Sequence, residues 1–165
     1  MLNCGGGSTE LASVTPAGVS CMSLELGALE LSRRFLTSEP PRYVELRWLM
    51  DAIRERLEGV AKPAVERLVA QGGSALSLGS ISQAAGGSSA AITRAEVCEQ
   101  IRLIMNLDRE QRRHLPGLAA ERTDTILAGA MIHLALLDHL GLASLEISTA
   151  SISDGLIRRL ALNLN

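Results

Sequence analysis

Asn3, Cys4, Gly5, Gly6, Gly7, Ser8, Thr9 and Glu10 stand in a row near the start of the chain, and together they carry the groups that hold a multiply charged anion. Glycine has no Cβ, so its backbone N–H groups can press directly on a ligand. Ser8 and Thr9 add hydroxyl donors, and Glu10 adds a carboxylate able to hold a metal. That set suits a phosphate group with Mg²⁺. A second glycine turn, Gln71-Gly72-Gly73-Ser74, separates a short apolar run from a helical pattern and forms a second candidate ligand loop. Arg122 lies just before a long apolar helix and can reach an anion as a charge-assisted donor. Phosphoryl transfer depends on positioning and charge neutralisation more than on covalent help, so these residue types match its needs. Each feature also has a plainer reading. A Gly-Gly-Gly-Ser run serves as a flexible connection, residues 71–74 as a tight packing turn, and Arg122 with Asp124 as a helix-start pair.

The elements around these residues follow from periodicity. Residues 8–26 alternate loosely and contain β-formers on either side of Pro16-Ala17-Gly18, which reads as a hairpin or two adjacent strands. Leu29, Leu31, Phe35 and Leu36 begin a helical period after Gly27, and Val44, Leu46, Leu49, Ile53 and Leu57 form a second amphipathic helix ending at Gly59. Residues 67–70 read as a buried strand leading into the second glycine turn and a helix, a βα unit. Residues 84–91 are a low-complexity loop. Thr93 caps a helix with Glu96 at capping-box spacing. Asp108 caps a short helix that ends near His114, and the longest helix is predicted over residues 120–140, closed by Gly141. Residues 145–148 alternate as a strand, and Asp154-Gly155 opens a last helix. The sum is an α/β chain with helices in the majority.

Composition narrows the function classes. A chain of 165 residues is one domain and large enough for a core. Hydrophobic residues make up 47% but aromatics 2%, so Leu, Ile, Val, Ala and Met must build that core. The net charge of −2 and the lone Trp48, Tyr43 and Phe35 argue against a nucleic-acid surface or base-stacking platforms. Cys4, Cys21 and Cys98 lack metal spacing and read as buried thiols of a reducing cytoplasm. No apolar run reaches membrane-spanning length. His133 and His139, six apart, miss the i, i+4 ligand spacing and read as core or surface histidines. The Glu/Arg runs at 54–58 and 109–113 read as solvated faces.

Eight short motifs occur here in a familiar order. They are Cys4-Gly-Gly-Gly-Ser-Thr-Glu-Leu11, Ser23-Leu-Glu-Leu-Gly-Ala28, Arg34-Phe-Leu36, Gln71-Gly-Gly-Ser74, Leu115-Pro-Gly-Leu118, Glu121-Arg-Thr-Asp124, Ile126-Leu-Ala-Gly129 and Ser153-Asp-Gly-Leu156. Over nearly its whole length the chain resembles the exopolyphosphatase and guanosine-pentaphosphate phosphohydrolase (Ppx/GppA) family. That family has the actin-like, ribonuclease H-like fold shared with sugar kinases and Hsp70 ATPases. The resemblance implies a hydrolase that uses Mg²⁺ to remove the terminal phosphate of polyphosphate or of guanosine pentaphosphate. It matches residues 1–165 to the second lobe of a two-lobed core, with the first lobe and its general base absent. The implied phosphate contacts are Gly5, Gly6, Gly7, Ser8, Thr9, Gly72, Gly73 and Arg122, and the implied metal positions are Glu10 and Asn3.

The chain departs from the family at two further points. Asn3 stands where the family has aspartate, which keeps an acceptor oxygen but drops the negative charge. Ser151-Ile152-Ser153 stands where the family carries Gly-Leu-Arg. Two functional expectations follow: a hydrolase lobe completed by a first-lobe polypeptide, or a non-catalytic phosphate-binding or dimerisation module. Either way the isolated chain is expected to be inactive. The resemblance also predicts a small-residue face at Ala128, Gly129 and Ala130 for packing against the other lobe. Apolar surface exposed around Leu2, Ala128 and Met131 is expected to drive a homodimer.

Overall fold

The computed structural model describes residues 1–16 and 18–163, with the backbone alone at positions 152 and 163, so Ala17 of the expected hairpin turn lies outside the described residues. Strands β1 (Leu2–Cys4), β2 (Thr9–Thr15) and β3 (Gly18–Leu24) form an antiparallel meander. β4 (Val69–Gln71) pairs with β1 in parallel, β6 (Ser144–Ile147) pairs with β4 in parallel, and β5 (Ala91–Thr93) lies antiparallel on β6. The sheet order among the described residues is therefore β3-β2-β1-β4-β6-β5. β5 lies where the sequence reads as the end of a loop, because three residues are too few to show alternation.

Helices α1 (Ala28–Phe35), α2 (Tyr43–Glu58), α3 (Gly73–Ala84), α4 (Arg94–Met105), α5 (Arg109–Arg113), α6 (Ile126–Leu140) and α7 (Ile152–Asn163) complete the fold with a 3-10 turn at Ala120–Arg122. α2 buries Leu46, Leu49, Ile53 and Leu57 along one stripe, each worth about 1.5–3 kcal/mol on leaving water. Thr93 accepts from the Glu96 N–H at 3.2 Å while Glu96 accepts from the Thr93 N–H at 2.7 Å, forming the expected capping box. α6 is apolar on nearly every face and packs against α1, α2, α3 and α4, so it forms the centre of the core.

Four expectations are corrected here. The single long helix over 120–140 is a 3-10 turn, a break at residues 123–125 and α6, which at 15 residues is shorter than the 16 of α2. The small-residue face of α6 is internal: a Cβ on Gly129 would meet Ser74 Oγ at 2.5 Å and Ala28 Cβ at 3.8 Å, so the small side chains let α1 and α3 approach. Leu2, Ala128 and Met131 are buried within this fold at 0%, 0% and 3% exposure. The uncovered apolar residues lie elsewhere, among them Val14 and Val19 on the β2–β3 hairpin, Trp48 on α2, and Leu156, Ile157, Leu160 and Leu162 on α7. The charged run 109–113 is likewise not wholly solvated, because Arg112 is buried and paired with Glu39 at 2.7 Å.

Candidate phosphate-binding site

β1 and β2 are joined by the glycine triplet, and the hairpin closes through the Gly5 N–H donating to the Ser8 carbonyl at 2.9 Å. Helix α1 begins against this loop and has no side-chain cap at Gly27. The loop supplies the cap: Ala28 N–H donates to the Gly5 carbonyl at 2.9 Å, and Leu29 and Glu30 N–H donate to the Gly6 carbonyl at 3.0 and 3.2 Å. With these carbonyls tied to α1, the N–H groups of Gly6, Gly7 and Ser8 remain without a protein acceptor among the described residues, and Gly6 and Gly7 are exposed. Successive free N–H groups on a curved backbone make an anion-binding concavity. Gly27 permits this contact, because any Cβ there would overlap the Gly6 carbonyl and the Gly7 backbone.

The second glycine turn stands beside the first because β1 and β4 are parallel neighbours, with Asn3 opposite Gln71. Both turns therefore leave the carboxyl ends of adjacent strands, the position where open α/β sheets place their ligands. Gly72 has φ +89°, a backbone that side chains avoid, and a Cβ there would lie 2.7 Å from Asn3 Oδ1. α3 starts at Gly73 without a side-chain cap, so its first-turn N–H groups and positive dipole end face this turn. The Arg122 guanidinium lies directly on Gly73, in the space a Cβ would fill. Arg122 makes no ion pair or side-chain hydrogen bond among the described residues. Asp124, its expected partner, is held by Arg109 through two bonds of 2.6 Å. An unpaired half-buried arginine thus stands over the amino end of α3.

The remaining candidates are engaged within the protein. Thr9 is buried and its hydroxyl donates to the Leu26 carbonyl at 2.5 Å, so it holds β2 to the start of α1 rather than facing a ligand. Glu10 accepts from Ser8 Oγ at 2.6 Å and Ser23 Oγ at 3.3 Å on one oxygen, and from Asn3 Nδ2 at 3.0 Å on the other. The Ser8 hydroxyl, then Asn3 and Ser23, hold its carboxyl below the usual range against a smaller opposing effect of burial. Glu10 is thus ionised, but both of its oxygens already accept hydrogen bonds and Asn3 turns its amide donor toward it. That is a poor shell for Mg²⁺, which needs free oxygen ligands in near-octahedral array. No group of three or more His, Cys, Asp or Glu side chains among the described residues is disposed to hold a metal. Burial pushes the Cys4 thiol up, leaving it protonated and inert. His133 is wholly buried, its Nδ1 2.7 Å from the Gly129 carbonyl, and belongs to the core.

The sequence did not mark Gly27 as a support for the triplet. Its signal is the Leu26-Gly27-Ala28 step directly after a strand, where a small pair lets a helix start against another backbone.

The mixed sheet, with parallel β1 and β4 each running into a glycine turn, is an α/β arrangement of the actin-like type, and solved structures agree. A Ppx/GppA family member of Aquifex aeolicus superposes with a TM-score of 0.89 at 23% identity, over 99% of this chain and 56% of its own. An exopolyphosphatase from Cytophaga hutchinsonii superposes with a TM-score of 0.80 at 17% identity, over 96% of this chain and 55% of its own. The Ppx/GppA phosphatase family model matches residues 1–164, and the chain belongs to that family. Exopolyphosphatase 2 of Mycobacterium tuberculosis (strain ATCC 25618 / H37Rv) is 29% identical over 175 residues, covering 98% of this chain and 55% of the relative. Exopolyphosphatase 1 of Mycobacterium bovis (strain ATCC BAA-935 / AF2122/97) is 30% identical over 172 residues, covering 96% and 49%. The chain spans about half the length of these curated relatives. No described helix is long and apolar enough to cross a membrane.

Proposed function

We propose that this chain is the phosphate-cradling lobe of a phosphoanhydride hydrolase, which releases terminal phosphate from polyphosphate or guanosine pentaphosphate once a first lobe completes it. The observation that carries this reading is the placement of the free N–H groups of Gly6, Gly7 and Ser8 beyond β1 and of the unpaired Arg122 on Gly73 beyond β4, at the carboxyl ends of two adjacent parallel strands. Backbone donors and a cation placed where phosphate charge accumulates supply electrostatic stabilisation without covalent help. The site's carboxylate, Glu10, is occupied by three donors, so the base that activates water comes from the other lobe. Mg²⁺, where bound, would supply charge neutralisation on the phosphate chain, and Glu10 and Asn3, engaged with each other, offer it a poor protein shell in this lobe. The apolar stripe Leu156, Ile157 and Leu160 on α7 supports a covering partner surface.

The test has a catalytic and a binding arm. Phosphate release is measured with Mg²⁺ on the chain alone and mixed with the first lobe of a relative. Release only in the mixture is expected; release by the chain alone refutes the assignment of the base to the other lobe. Tripolyphosphate binding by calorimetry is expected to weaken about 10- to 100-fold in Arg122→Gln, the loss of one charge-assisted bond. Unchanged binding removes Arg122 from the site. No binding by the parent chain overturns the cradle.

A further inference from the structure

Asn3 lies against the second glycine turn and reaches the first through Glu10. Through Nδ2 it donates to Glu10 Oε2 at 3.0 Å, and Glu10 in turn is held by Ser8, the last residue of the first turn. Through Oδ1 it lies against Gly72, at 2.7 Å from where a side chain would begin. The pairing geometry leaves little freedom, because Asn3 sits opposite Glu10 on β2 and opposite Gln71 on β4. An amide can donate to a carboxylate, whereas a second carboxylate could not. At 3.0 Å two ionised carboxyls would repel and would call for either a proton or a divalent cation between them.

We propose that Asn3 and Glu10 form a metal-free clasp that fixes the two glycine turns side by side, so that this lobe takes a phosphate anion without a resident divalent cation. The clasp replaces a cation as the agent that stabilises the ionised Glu10: neutral donors from Asn3, Ser8 and Ser23 bond both of its oxygens. One negative charge remains at the site, compensated within the protein, and the free N–H groups of the triplet are left to the anion. A single change, Asn3→Asp, turns the clasp into a pair of facing carboxylates and creates a cation site. The inference rests on the phosphate-cradle reading for its ligand, but not on hydrolysis, because it concerns how the turns are held and not what reaction follows.

Mn²⁺ binding, read by electron paramagnetic resonance on the full chain, and tripolyphosphate binding with and without EDTA test this inference. The parent chain and Glu10→Gln are expected to bind Mn²⁺ equally weakly. Asn3→Asp is expected to bind it at least tenfold tighter, and the double change Asn3→Asp with Glu10→Gln to lose that gain. Tripolyphosphate affinity of the parent chain is expected to be unchanged by EDTA. A tenfold loss of Mn²⁺ affinity on Glu10→Gln alone, or loss of tripolyphosphate binding in EDTA, overturns the clasp. Equal Mn²⁺ binding by Asn3→Asp and the parent chain overturns it as well. Should Asn3→Asp not fold, the Glu10→Gln and EDTA arms still decide. Absence of any tripolyphosphate binding strikes the phosphate reading and leaves the Mn²⁺ arms to judge the clasp.

Discussion

Gly27→Ala separates the contact of helix α1 with the phosphate loop from every other feature of the fold. Gly27 has φ −94° and ψ 132°, a backbone that alanine adopts without strain, so the substitution acts only through its new Cβ. That Cβ overlaps the Gly6 carbonyl and the Gly7 backbone, and relief requires the loop or the start of α1 to move by about 1 Å. Overpacking of this kind costs about 1–3 kcal/mol. The same movement stretches three N–H···O bonds, from Ala28, Leu29 and Glu30, each worth about 0.5–1.5 kcal/mol. Alanine returns about 0.4–1 kcal/mol by restricting the unfolded chain. With the bonds weakened rather than lost, the net is a destabilisation of about 2–3 kcal/mol, or a fall in Tm of about 5–10 °C for a chain this size. Thermal unfolding and urea denaturation measure it. Gly59→Ala is the control, because a Cβ there meets nothing within 4 Å and stability should change by less than about 1 kcal/mol. Tripolyphosphate binding by Gly27→Ala should weaken with the displaced N–H groups. A Tm within a degree of the parent chain, with binding intact, would refute the claim that the loop rests on Gly27.

Two further predictions concern protons. Burial raises the Glu45 carboxyl, but hydrogen bonds from the Thr37 hydroxyl, the Arg42 and Thr37 N–H groups and the Ser38 hydroxyl outweigh it and bring the group down to about 2. Its contribution is therefore present above pH 4.5 and lost as pH falls toward 2. Glu45→Gln should cost about 1–2 kcal/mol at pH 6.5, shrinking toward pH 2.5 in urea titrations at both values; a pH-independent cost would contradict the assignment. Burial pushes His133 down, opposed by its bond to Gly129, so the folded protein holds it neutral. Stability should then fall as pH drops below the unfolded histidine value of about 6.5. His133→Leu removes both that burden and the unpartnered Nε2, and should gain on the parent chain between pH 7.5 and pH 5. An equal urea midpoint difference at the two pH values would count against it.

The sequence alone carried the local rules. The capping box at Thr93, the cap at Asp108, the stop at Gly141, the α2 stripe and the two glycine turns are written in neighbouring residues, because caps, turns and helical faces form within a few positions of one another. The order of eight motifs was enough for the family, which is a statement about similarity and needs no coordinates. Tertiary structure decided which groups are free. Thr9 and Ser8 read alike as hydroxyl donors, yet Thr9 is spent on Leu26 and Ser8 on Glu10, partners 17 and 2 residues away. Arg122 and Asp124 read as a pair, yet Arg109 takes the aspartate and leaves the arginine on Gly73. The small face of α6 reads as an outer surface and is the seat of α1 and α3. The physical reason is common to all of these. A hydrogen bond or a buried contact is settled by which strands lie side by side, and the parallel pairing of β1 with β4 joins positions about 70 residues apart that no local pattern connects.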